Sequence, residues 1–151
     1  MTTRTMEILE ALRDLLGTID RPAYRSKVGE VKIGLTAGDL NGGPRPLIAI
    51  LWTGKTPTMP GVGPRHQYAE RITIYVETAD VEDAMERLVE LVEDVEEVLK
   101  TNEMLKTAAA PAGLLLRPLA VTDEQAMLDL DASAGIGSAR LEVDAVYRTT
   151  H

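Results

Sequence analysis

Residues 70–77 read Glu-Arg-Ile-Thr-Ile-Tyr-Val-Glu, and residues 81–102 read Val-Glu-Asp-Ala-Met-Glu-Arg-Leu-Val-Glu-Leu-Val-Glu-Asp-Val-Glu-Glu-Val-Leu-Lys-Thr-Asn. In the first stretch Ile72, Ile74 and Val76 alternate with Arg71, Thr73, Tyr75 and Glu77, so apolar and polar groups fall on opposite faces of a strand. In the second the spacing changes to three and four. Val81, Ala84, Met85, Leu88, Leu91, Val92, Val95, Val98 and Leu99 make one helical stripe. Glu82, Asp83, Glu86, Glu90, Glu93, Asp94, Glu96 and Glu97 take the other face, relieved by Arg87. Like charges four residues apart each cost about 0.2–0.5 kcal/mol, so tertiary packing of the stripe must hold this helix. Thr78 or Asp80 is placed as its N-cap, with Asp83 as the acidic partner of a capping box. A half-buried strand followed by a long amphipathic helix is a sheet with a helix laid across it.

Toward the N-terminus, Leu9, Leu12, Leu16 and Ile19 recur at helical spacing, widened by Ile8 and Leu15. This predicts a helix from about Thr5 to Leu16, capped at Gly17 and stopped by Asp20-Arg21-Pro22. Val31 to Leu35 reads as a short strand and Gly38 to Pro44 as a turn. Leu47-Ile48-Ala49-Ile50-Leu51-Trp52 is a continuous apolar run of strand length, the pattern of a strand covered on both faces. Residues 53–67 contain Pro57, Pro60, Gly61, Gly63 and Pro64 and show no periodicity, which predicts a long mobile loop.

Toward the C-terminus, Pro118 puts Leu114–Leu119 at a sheet edge or outside the sheet. Asp123 to Asp131 is compatible with a helical turn or an extended piece. After a turn at Gly135–Ser138, Arg140 to Arg148 alternates as a last strand. The order implies one α+β domain over residues 1–151: an antiparallel sheet of about four strands, an N-terminal helix and one long amphipathic helix.

The chain has 151 residues, no cysteine and no phenylalanine, so aliphatic side chains and methionine must fill the core. Without cysteine there are no disulfides, thiolate nucleophiles or thiolate metal sites, and folding in a reducing cytoplasm is the expectation. No stretch approaches the ~20 apolar residues of a membrane span. The net charge of −8 opposes general affinity for nucleic acid. That charge is unevenly spread: residues 1–72 hold ten Lys/Arg and seven Asp/Glu, residues 73–151 six and seventeen. Opposite ends of opposite sign suit head-to-tail contacts between copies, although a solvated acidic helix face yields the same count.

The motifs that suggest chemistry fail on inspection. Thr53-Gly54-Lys55-Thr56 ends like a phosphate-binding loop, but Ala49 stands where its first glycine belongs and Pro57 precludes the following helix. Asp129-Leu130-Asp131-Ala132-Ser133 opens like a calcium loop, but Ala134 and Arg140 occupy the positions of its glycine and glutamate. His66 and His151 have no neighbour at ligand spacing, so no metal site emerges. The helix acids lack the burial that separates carboxylate pKa values for acid–base work. No catalytic residue, cofactor or metal is expected.

The order of elements, with Glu70–Glu77 running into a helix bearing Ala84, Leu88 and Leu91 and a closing Leu141-Glu142-Val143-Asp144-Ala145-Val146-Tyr147 strand, resembles the tail terminator (tail completion) proteins of long-tailed bacteriophages and related prophage or gene-transfer particles. The resemblance covers nearly the whole chain and rests on layout, not on an invariant motif. It implies a non-enzymatic virion protein, made in the host cytoplasm, that forms a ring of six copies on the head-proximal end of the tail tube. Such a ring ends tube polymerisation and joins the head-side connector. Its partners would be itself, the tube protein and the connector, with no membrane and no specific nucleic-acid binding, though DNA would pass through the ring. The family brings no catalytic residues to carry over. The charge asymmetry nominates the contacts: Arg45, Lys55, Arg65, His66 and Arg71 against Glu86, Glu90 and Glu93. Other readings are a different neck or minor tail protein, a small dimeric α+β ligand-binding domain, and an enzyme using the carboxylates.

Overall fold

The computed structural model describes residues 3–36, 43–59, 65–79, 83–128 and 136–150. Helix α1 (Arg4–Leu16) is followed by β1 (Glu30–Ile33), β2 (Leu47–Met59) and β3 (Arg65–Ala79). Helix α2 (Ala84–Thr101), β4 (Ala120–Leu128) and β5 (Ile136–Thr150) complete the chain. The strands form one five-stranded sheet in the order β1-β2-β3-β5-β4. The α+β class is as the sequence predicts, but the sheet is mixed and has a fifth strand. β1 runs parallel to β2, whereas the other three pairs are antiparallel. The undecided segment from Asp123 is strand β4 as far as Leu128, because Val121 to Leu128 finds a partner in β5; residues 129–131 lie outside the described residues.

Both helices pack on one face of the sheet. That face carries Ile48 and Ile50 of β2, Ile72, Ile74 and Val76 of β3, and Leu141, Val143 and Ala145 of β5. Registry puts these side by side across the strands: Ile50 faces Ile74, and Ile74 faces Leu141. From above, α1 contributes Ile8, Leu9, Leu12 and Leu16, and α2 contributes Leu88, Leu91, Val95, Val98 and Leu99. A fully buried aliphatic side chain contributes ~1.5–3 kcal/mol, so this continuous layer is the main source of stability.

Gly17 stands at the C-cap of α1 as the sequence predicts, whereas the N-cap position of α2 falls on Asp83. Thr3 caps α1 by accepting from the Met6 amide at 3.1 Å. Asp83 stands at the N-cap of α2 but makes no side-chain cap, while Thr78 belongs to β3 and Asp80 lies outside the described residues. The buried stripe of α2 starts at Leu88, one turn later than its periodicity suggests, and Met85 is 63% exposed. Asp94, expected on the solvent face, is instead buried. Its two oxygens accept from the Arg25 and Ser26 amides at 3.3 and 2.8 Å, which anchors the segment after α1.

The predicted loop at 53–67 needs the largest correction. β2 runs on through Met59, and β3 already begins at Arg65. Bulges between Trp52 and Gly54 and between Pro57 and Met59 let the ladder continue past Gly54 and Pro57. Gly54 has φ 134°, which only glycine adopts without strain. Extended pairing of β3 with β5 from Arg65↔Thr150 onward supplies the template that local propensity lacks. The result is an arm of three strands; residues 60–64, between β2 and β3, lie outside the described residues.

Candidate assembly surfaces

The arm is joined to the body by a polar cluster built around Glu70. Glu70 lies on the helix-facing side of β3 and is fully buried. Its carboxylate accepts from Thr5 Oγ1 of α1 at 2.5 Å, from Trp52 Nε1 of β2 at 2.6 Å and from the Tyr147 hydroxyl of β5 at 3.1 Å. Three donors on three elements satisfy a charge that would otherwise be costly to bury. Burial, followed by the effect of the Glu70 charge, pushes the Tyr147 phenol up and keeps it a donor. Tyr147 in turn packs against Tyr68, ring centroids 5.7 Å apart. Lys55, opposite Glu70 in register, places its ammonium 4.9 Å from the centre of the Tyr68 ring. Trp52 remains 51% exposed beside this cluster.

Arg71, the next residue of β3, points to the reverse face and is exposed. Its cross-strand partners are Gly54 and Asp144, and among the described residues it makes no ion pair. Arg65 and His66 open β3, paired through their backbones with Thr150 and Thr149. His151 and the calcium-like segment at Asp129–Ser133 lie outside the described residues. The Gly-Lys-Thr of the arm is extended strand in β2, so its amides do not curl into a phosphate cradle.

A second surface is the outer side of the first turns of α2. Met85 and Val89, four residues apart, are 63% and 49% exposed. Glu86, Glu90 and Glu93 surround them, and a shallow depression of about 580 Å³ runs from Arg25 and Asp83 along this side. The acids are only partly neutralised: Glu90 meets Arg87 at 3.3 Å and Glu93 meets Arg25 at 3.4 Å. Exposed pairs of this kind contribute ~0–1 kcal/mol each.

Of the residues nominated from the sequence, Glu86, Glu90 and Glu93 are thus brought together on α2. Lys55, Arg65, His66 and Arg71 all fall on the arm. Arg45 stands apart from both groups, with its side chain inside the subunit, where its guanidinium meets Glu77 at 2.8 Å. The exposed Met85–Val89 pair was not legible from periodicity, since Met85 falls in the apolar stripe and Val89 lies outside it. Nor was the Glu70 cluster, whose donors lie up to 77 residues from Glu70.

One carboxyl pair links α2 to the sheet edge. Glu96 is pushed up to about 7, first by burial and then by the neighbouring carboxylate of Glu124 on β4. Among the described residues no cluster of three or more His, Cys, Asp or Glu side chains is placed to hold a metal, and no helix is long and apolar enough to cross a membrane.

No family model and no curated protein matches the sequence. In fold the chain is similar to a chain of a solved structure, the virion of a native gene transfer agent particle, with a TM-score of 0.50 and 13% identity. The superposition covers 97% of this chain and 92% of that one. At this identity the likeness defines a shared α+β fold, end to end.

Proposed function

We propose that the protein is a non-enzymatic structural component of a phage-like particle that works by self-assembly. In this reading six copies close into a ring on the head-proximal end of a tail tube, end its polymerisation and offer the joining surface for the head-side connector. The observation that carries it is the fold likeness to a gene transfer agent virion chain over nearly the full length of both chains. The two surfaces add physical support. An arm carrying Lys55, Arg65, His66 and Arg71 is complementary in charge to the acidic patch of Glu86, Glu90 and Glu93. A different patch at each side of the contact makes it head-to-tail, which closes into a ring when the rotation permits. Met85 and Val89 are the apolar centre that such a contact buries, with the acids as its rim.

Native mass spectrometry over a wide concentration range tests the reading. A discrete hexamer is the expected outcome, and a stable dimer or a monomer at every concentration counts against a self-assembling ring. The double substitution Lys55→Glu/Arg71→Glu should weaken assembly by about tenfold or more. Adding Glu86→Lys/Glu90→Lys should restore part of it if these surfaces meet.

A further inference from the structure

One cavity runs against the composition of the chain. It measures about 300 Å³ and opens between the segment after α1, the start of β2 and the first turn of α2. Its charged lining among the described residues is entirely basic: Arg21, Lys27, Arg45 and Arg87. The whole chain carries 24 acidic against 16 Lys/Arg residues, so chance and solubility would favour the opposite sign. A concave wall focuses the field of the cations that lack a counter-charge on one small volume.

The four are not equivalent. Arg45 is engaged by Glu77 at 2.8 Å and Arg87 by Glu90 at 3.3 Å, so these two carry compensated charge. Arg21 and Lys27 make no ion pair among the described residues. The Nε of Arg21 donates to the Arg25 carbonyl at 3.1 Å, which fixes the guanidinium plane and leaves both terminal nitrogens as donors. The chain between Arg21 and Lys27 is itself held, because buried Asp94 accepts from the Arg25 and Ser26 amides at 3.3 and 2.8 Å. A pinned segment presenting two uncompensated cations into a basic cavity is preorganised for an anion.

We propose that this cavity binds a phosphate-type oxyanion, with Arg21 and Lys27 as its direct ligands, while Arg45 and Arg87 complete the lining with their charge balanced by Glu77 and Glu90. A planar guanidinium paired with an ammonium suits a multiply charged tetrahedral oxyanion. The phosphate belongs either to a free anion or ester or to the backbone of a nucleic acid. The inference stands apart from the ring reading and survives its failure.

Isothermal titration calorimetry of the full chain with inorganic phosphate, against chloride at equal ionic strength, tests it. One saturable site per chain is expected. Arg21→Ala/Lys27→Ala should weaken it by at least about tenfold, since both direct ligands and their charges are lost. Both side chains are exposed, so the double variant should keep the wild-type unfolding midpoint. A short DNA duplex that competes with phosphate supports a phosphodiester source, and phosphate binding without DNA binding supports a free anion or ester. No saturable binding of either probe, or binding unchanged in the double variant, overturns the site.

Discussion

Arg45 and Glu77 form the most enclosed ion pair among the described residues: Nε and Nη2 of the guanidinium each lie 2.8 Å from Glu77 Oε1. The side chains are 12% and 7% exposed. Nη1 donates to the carbonyls of Gly43 and Pro44 at 3.0 and 3.2 Å, so the pair ties the entry of β2 to the end of β3. The other carboxylate oxygen accepts from the Tyr75 hydroxyl, and burial followed by this carboxylate pushes the phenol up to about 12.

Removing one partner of that pair should cost more than removing both. Arg45→Met leaves Glu77 buried without its counter-charge and should destabilise the fold by about 3–5 kcal/mol. Arg45→Met/Glu77→Met should recover a large part of that loss. Urea unfolding of the three proteins measures it; equal stability of wild type and single variant would show that the pair is solvated in solution.

Glu70 should be sensitive to each of its donors. Tyr147→Phe and Thr5→Val each delete one hydrogen bond to a buried carboxylate and should each cost about 1.5–3 kcal/mol. The two share one acceptor, so their effects should not add, and a double-mutant cycle by thermal unfolding reads the coupling. Strict additivity would mean that the cluster does not act as a unit.

Glu96 predicts a pH dependence of definite sign. Its pKa is raised from 4.5 to about 7 in the folded state. The folded protein therefore holds a proton that the unfolded chain releases, and stability from this group is complete below about pH 4.5 and lost as pH rises through about 7. The group is partly exposed, so solvent screening limits the effect to on the order of 1 kcal/mol. Glu96→Gln should abolish that slope and be more stable than wild type at pH 8. The difference between the two stability–pH curves measures the effect, and parallel curves would refute it.

Gly113 should tolerate no side chain. It has φ 103°, and a Cβ there would stand 2.4 Å from the Met104 carbonyl oxygen. Gly113→Ala should cost about 1–3 kcal/mol through backbone strain and displacement. Gly54, at φ 134° but with open space around it, should lose less on the same substitution. Denaturant midpoints of the two variants would rank them.

The parts of the fold legible in the sequence are those with unbroken local periodicity. The alternation at Ile72, Ile74 and Val76 and the stripe from Leu88 to Leu99 each name one buried face without reference to any partner. β1 is four residues long, so its parallel pairing with β2 depends on a partner that no local pattern reveals. β4 is undecided between a helical turn and an extended piece in the sequence for a related reason: its described side chains are exposed, and only the ladder to β5 makes it a strand. For the candidate surfaces, residue types and overall charge nominated Arg45, Lys55, Arg65, His66, Arg71, Glu86, Glu90 and Glu93. The inward turn of Arg45 was hidden, because Glu77 lies 32 residues away.

By itself the sequence determined the α+β class, the absence of thiol chemistry, and which faces of β3, β5 and α2 must be buried. These follow from side-chain periods of two and 3.6 and from composition, both local properties. Tertiary structure alone decided the strand order, the extension of β2 to Met59 and of β3 back to Arg65, and the meeting of Thr5, Trp52, Glu70 and Tyr147. It also gathered Arg21, Lys27, Arg45 and Arg87 around one cavity. Hydrogen-bond ladders, buried carboxylates and charge clusters are relations between distant residues, and their energies exist only once the chain has closed on itself.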